Sequence, residues 1–173
     1  MSDGFAHALR IDSIRDGDRL DMIADECERR LIAQRLGLGS IERLEAHAIL
    51  ERKGEIVRAE GRLAASLEQS CVVTGEPVPA HVDEAFSLAF VPEPETGADE
   101  ELELGEEDCD TVFYDGAVID LGAAIADTLA LRLDPYPRSL EADVALKEAG
   151  IMTEAEASPF AALAALKKGL EGS

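Results

Sequence analysis

Three consecutive stretches of this chain alternate apolar and polar residues with a period of two, and only short turns separate them. In the first, Leu44, Ala46, Ala48 and Leu50 alternate with Arg43, Glu45, His47 and Ile49. The second runs from Glu55 to about Cys71 and puts Leu63, Ala65, Leu67 and Cys71 on one side. The third places Val82, Phe86, Leu88 and Phe90 opposite Asp83, Ala85, Ser87 and Ala89. Successive side chains of an extended chain point to opposite faces, so this pattern predicts strands with one buried face. Lys53-Gly54 is the first turn, and Cys71-Val-Val-Thr-Gly-Glu-Pro-Val78 has the chemistry of the second. Gly61, inside the second run, reads as a bulge or kink. Short connections favour neighbouring antiparallel strands, hence a meander.

Around this core the spacing predicts helices. Leu20, Ile23, Cys27 and Leu31 recur at helical intervals, with Ala24 and Ile32 widening the stripe. An amphipathic helix over 18–36 follows, with Asp16 or Asp18 at its start and Gly37 and Gly39 at its end. After Val112-Phe-Tyr114, a turn at Asp115-Gly116 and a short strand at Val118-Ile119, Asp120 caps a helix with Leu121, Ile125 and Leu129 on its apolar face. Pro135 and Pro137 stop it. The stretch 139–157 is helix-friendly but weakly patterned. Ser158-Pro159 then opens a short helix carrying Phe160, Leu163, Leu166 and Leu170. The expected fold is α+β, an antiparallel sheet or meander with an N-terminal amphipathic helix and C-terminal helices, forming one domain over 1–173.

Charge narrows the partners. The net charge is −21, and the segment 63–131 holds seventeen Asp and Glu with no Lys or Arg. Such a field repels phosphate backbones and attracts basic surfaces. Within it, about 92–110 carries ten acids and few large apolar groups, and reads as a flexible acidic loop. Arg43, Arg52, Lys53, Arg58 and Arg62 gather on the first hairpin and are the alternative, a direct RNA-binding surface. Glu42, Glu45, Glu51, Glu55 and Glu60 offset them there. The first residues are charged and lack an apolar run, and no stretch approaches the roughly 18 apolar residues of a membrane span. A cytoplasmic protein without membrane contact is expected.

No phosphate-binding glycine loop, dinucleotide fingerprint, nucleophile elbow or His-Glu-x-x-His motif occurs. Cys71 and His81 flank one turn and are the nearest thing to a catalytic pair. Their phases differ, however, because Cys71 follows Leu67 while His81 is out of step with Val82 and Phe86. A buried structural thiol is the expectation, with no enzyme activity. Asp108, Asp110 and Asp115 could bind calcium, but Phe113 and Ile119 occupy the positions where an EF-hand needs Gly and Glu. Three cysteines, Cys27, Cys71 and Cys109, make neither a disulfide framework nor a paired zinc motif.

Three segments in order carry a resemblance. Cys71-Val-Val-Thr-Gly-Glu-Pro77 is one; Ile119-Asp-Leu121 with Leu129-Ala-Leu131 and Pro135-Tyr-Pro137 is the second; Ser158-Pro-Phe160 with Leu163, Leu166 and Lys167 is the third. Together they resemble the YceD-like family, the large-ribosomal-RNA-subunit accumulation proteins. The resemblance implies a role in accumulating large-subunit ribosomal RNA. The charge map adds a basic ribosomal protein or assembly factor as partner, with nucleic-acid contact indirect or weak. Glu100, Glu101, Glu106 and Glu107 in the loop, and Phe160, Leu163 and Leu166 near the end, are the candidate binding residues. The resemblance also suggests a zinc site built from two cysteine pairs. Here Thr74 stands in for the second cysteine, and Arg138-Ser-Leu-Glu-Ala-Asp143 contains none, so Cys71 is left alone and no cofactor is expected.

Overall fold

The structure, a computed structural model, describes residues 7–93 and 109–151. Alternation becomes a sheet as expected over the long strands β3 (Ser40–Lys53) and β4 (Ile56–Ser70), which pair antiparallel from Ser40↔Glu68 to Lys53↔Ile56. Leu44, Ala46, Ala48 and Leu50 on β3 meet Val57, Ala59, Leu63, Ala65 and Leu67 on β4 in the core. The hairpin closes through two residues. Gly54 has φ 65° while Glu55 does not enter the left-handed region, the requirement of a type II′ turn.

The bulge lies in β3, not at Gly61. The register shifts between Ile41 and Arg43, which leaves Glu42 as the extra residue. That single insertion flips the phase, so Ile41 and Leu44 are both buried although their spacing is odd. Gly61 pairs with Ala48 in uninterrupted register. Its reason is close approach: a Cβ there would sit 1.8 Å from the His47 carbonyl oxygen.

Two expectations are corrected. The first is the helix over 18–36. Residues Asp18–Ile23 form strand β2, paired antiparallel with β3, and the helix α1 spans only Glu26–Leu36. Leu20, Met22 and Ala24 also fit a period of two. An edge strand on β3 buries Met22 and Ala24 there, whereas Ile23, a member of the helical stripe, is 72% exposed. The true start of α1 is Asp25, whose carboxylate accepts from Glu28 N while the Glu28 carboxylate accepts from Asp25 N. Gly37 at φ 66° ends the helix, and Leu38 N donates to the Ala33 carbonyl.

The second correction is the antiparallel meander. The described residues are mostly β rather than α+β, with a mixed five-stranded sheet ordered β2-β3-β4-β5-β6. Strand β5 spans Pro77–Pro92, and β6 (Asp110–Tyr114) runs parallel to it from Leu88↔Asp110 to Pro92↔Tyr114. Seventeen residues separate the two strands, enough for the crossover that a parallel pair requires. A second sheet has two strands, β1 (Ala8–Arg10) and β7 (Val118–Asp120), antiparallel. Between β1 and β2 lies a 3-10 turn, Ile11–Ser13, with Ile11 buried.

Asp120 caps α2 (Leu121–Arg132) as expected, accepting from Ala123 N at 2.9 Å. Leu121, Ile125 and Leu129 are fully buried, and Thr128 satisfies its hydroxyl on the Ala124 carbonyl. These elements form one compact unit, whose described residues are 7–69, 79–93 and 109–135. The described residues of a second unit are 70–78 and 136–151. That unit contains the Cys71 turn and the short helix α3 (Ala142–Glu148). Within it, Ile151 N donates to Leu146 O and Gly150 N to Lys147 O, with Gly150 at φ 75°, so α3 closes in a Schellman motif.

Candidate functional site

Three groups of residues could carry a function: the Cys71 turn, the charged face of the sheet, and the acidic and C-terminal residues singled out above.

The Cys71 turn is built by backbone hydrogen bonds. Cys71 N donates to Glu76 O and Gly75 N to Cys71 O, with Gly75 at φ 75°. Val72 N donates to Pro137 O, which brings the residues beyond the proline stop alongside. Two amides then point at the sulfur: Thr74 N at 3.4 Å and Ser139 N at 3.3 Å from Sγ. The Thr74 and Ser139 hydroxyls lie 3.2 Å apart, and Thr74 Oγ1 donates to Glu76 Oε2. Burial pushes the Cys71 thiol up, but hydrogen bonds from Thr74 and Ser139 outweigh it and bring the pKa down to about 6. The two amides thus favour the thiolate form of a sulfur that is 4% exposed and fastened at both sides.

That chemistry is poor for a nucleophile, which needs access and a base. His81 Nδ1 is hydrogen-bonded to Ser66 Oγ at 3.1 Å, and the sulfur takes its hydrogen bonds from amides. The donor set does not fit zinc either. One thiolate beside two hydroxyls falls short of the four sulfur and nitrogen ligands of a structural site. Among the described residues, no group of three or more His, Cys, Asp and Glu is placed to hold a metal ion. Asp108 of the calcium candidate lies outside the described residues. The sequence reading singled out Cys71 and Thr74 but missed Ser139 as a partner; its only signal was its place just after the proline stop.

On the sheet face, cross-strand pairing arranges charges in rows. Asp21 on β2 meets His47 on β3, Oδ1 to Nδ1 at 2.6 Å, and Arg62 on β4 meets Asp83 on β5, Nε to Oδ1 at 2.6 Å. With Ile23 and Glu45 they line an open groove of about 330 Å³. The hairpin arginines proposed as an RNA surface are occupied. Arg43 pairs with Glu45 at 2.5 Å, and that hydrogen bond holds the Glu45 carboxyl below its usual range. Arg52 donates to the Ile11 carbonyl at 2.7 Å and to the Gly54 carbonyl at 2.9 Å. Arg58 also has an interaction of its own. Lys53 is exposed beside the turn.

Glu100, Glu101, Glu106 and Glu107, and Phe160, Leu163 and Leu166, lie outside the described residues, as does most of the acidic stretch 92–110. No helix among the described residues is long and apolar enough to cross a membrane.

No curated protein and no solved structure gives a significant match to this chain. The family model described as "Large ribosomal RNA subunit accumulation protein YceD" matches residues 59–167, a stretch that begins in β4 and runs through the Cys71 turn, α2 and α3. That match covers more than half of the sequence, and the chain belongs to the YceD family.

Proposed function

We propose that this protein is a non-catalytic, cytoplasmic assembly factor that supports accumulation of large-subunit ribosomal RNA by binding a basic ribosomal protein or assembly factor. The family's description supplies the ribosomal context. One observation carries the mode of action: the cations and anions of the chain are disposed unequally. The hairpin arginines are already engaged, Arg43 by Glu45, Arg62 by Asp83 and Arg52 by backbone carbonyls. Segment 63–131, by contrast, has seventeen acids and no Lys or Arg of its own, and among the described residues only Asp83, on Arg62, and Asp127, on Arg35, take an ion pair from outside it. Phosphate contacts dominate affinity for RNA, and cations already paired have little to offer there. A dense Lys and Arg surface finds the opposite sign waiting.

Affinity capture from lysate, with and without nuclease, tests this. The partner should survive nuclease and be lost steeply between about 50 and 500 mM salt, as screening shortens the reach of the field. Neutralising Glu100, Glu101, Glu106 and Glu107 should slow association. Tight binding to naked ribosomal RNA, abolished by changing Arg52, Lys53 and Arg58, would overturn the reading in favour of direct RNA contact.

A further inference from the structure

The second compact unit exposes its apolar side chains to an unusual degree. Val72, Tyr136, Leu140, Val144 and Ile151 are five of the eleven large hydrophobic residues exposed among the described residues, although this unit contributes fewer than a fifth of those residues. Leu140 is 102% exposed and Val144 56%. They stand four residues apart along a helical run: Ala142 N donates to Ser139 O, Ala145 N to Glu141 O and Ala149 N to Ala145 O. Residues at that spacing share a face. An apolar stripe left in water with polar residues along its sides is the signature of an interaction surface.

We propose that the face formed by α3 and the turn leading into it, with Leu140 of the turn and Val144 of the helix as its anchors, is a docking site for an amphipathic basic segment of a partner protein. Charge selects that occupant. Glu141 and Glu148 flank the stripe on one side and meet no cation among the described residues. On the other side Asp143 takes Arg138 at 3.8 Å, and Lys147 borders the stripe three residues after Val144. With Glu76, the described residues of the unit carry four acids against Arg138 and Lys147. An apolar stripe with two unpaired carboxylates along one side, in a unit whose described residues are net negative, disfavours nucleic acid and anionic lipid and favours a helix bearing Leu on one side and Lys or Arg beside it. The proposal rests on the reading of the protein as a binder of basic partners, and gives that reading a contact face distinct from its diffuse acidity.

The test uses the full chain and two synthetic peptides of equal charge, one a Leu/Lys amphipathic helix, the other with every Leu replaced by Ser. The Leu peptide should bind at least about tenfold more tightly, with amide shifts confined to 136–151. Leu140→Ser with Val144→Ser should remove that preference while the melting temperature stays unchanged, since neither side chain is buried. Glu141→Lys with Glu148→Lys should weaken the Leu peptide by a similar factor. Equal binding of the two peptides, untouched by the Leu140 and Val144 changes, would sink the docking face yet leave the electrostatic reading standing. No binding of either peptide would sink both. A wild-type dimer made monomeric by Leu140→Ser would assign the face to a second copy. A rise in Leu-peptide affinity on deleting 158–173 would assign it to the chain's own C-terminal segment. Either result overturns a basic partner as its occupant.

Discussion

The β3–β4 hairpin and the unit around Cys71 solve the problem of holding a chain in place by opposite means. On the hairpin, nearly every second residue is buried, outward Arg43 and Arg62 take Glu45 and Asp83, and the two backbones approach so closely that only Gly fits at position 61. Around Cys71, few residues are buried; amide hydrogen bonds and one sulfur set the geometry, while large apolar side chains face water. The first arrangement spends its apolar surface on the fold. The second keeps that surface available. Stability and availability are thus segregated along the chain, and substitutions should reveal the division.

The largest losses should come from the hairpin. Gly61→Ala would force the strands apart at His47, and Leu63→Ala would leave a cavity; each should cost about 3 kcal/mol or more in chemical denaturation. A loss below about 1 kcal/mol at both sites would show that the hairpin is not the rigid half. Next in size, Asp25→Ala removes the capping box of α1 and should cost about 1 kcal/mol, restored in part by Asp25→Ser.

Cys71 should produce a pH-dependent effect. Its pKa is lowered in the folded chain, to about 6 from an ordinary 9.0, so the folded state favours the thiolate. The stabilisation is complete above the unfolded value, declines as pH falls toward 6, and is gone below it. The melting-temperature gap between wild type and Cys71→Ser should therefore widen from about pH 6 to 9. Parallel profiles across that range would refute the thiolate. Metal analysis sharpens the same point: the purified protein should carry no stoichiometric zinc, and about one zinc per chain, with unfolding on chelation, would contradict a turn held by amides. The smallest effect belongs to the exposed face, where Leu140→Ala should change stability by no more than about 0.5 kcal/mol.

Features set by neighbours in sequence were legible before the structure. The hairpin alternation, the turn at Gly54, the cap at Asp120 and the end of α1 at Gly37 depend on a few adjacent residues. The failures share another cause. Leu20 and Ile23 fit a helical period, Leu20 and Met22 a strand period, and pairing with β3 decided between them. The Asp25–Glu28 capping box that starts α1 lies inside the helical stripe, where periodicity alone does not mark a boundary. The direction of β6 depends on how seventeen intervening residues return, which no local pattern encodes. Ser139 reaches Cys71 across 68 positions; the resemblance brought the segment 138–143 to the Cys71 site, but no local pattern showed that the Ser139 amide would hold the sulfur.

The two-stranded sheet has a consequence for the order in which the molecule is made. Its hydrogen bonds join His7 to Asp120, 113 positions apart, and pair Ala8–Arg10 with Val118–Asp120. On a chain synthesised from its N-terminus, the β3–β4 hairpin can zip as soon as it emerges, because its contacts are local and loop closure is quick. Strand β1 is made before the hairpin yet must wait for β7, a non-local closure. A strand synthesised ahead of the hairpin is therefore placed long after it, and a chain halted at residue 117 would hold a finished hairpin and a β1 segment still waiting for its partner strand.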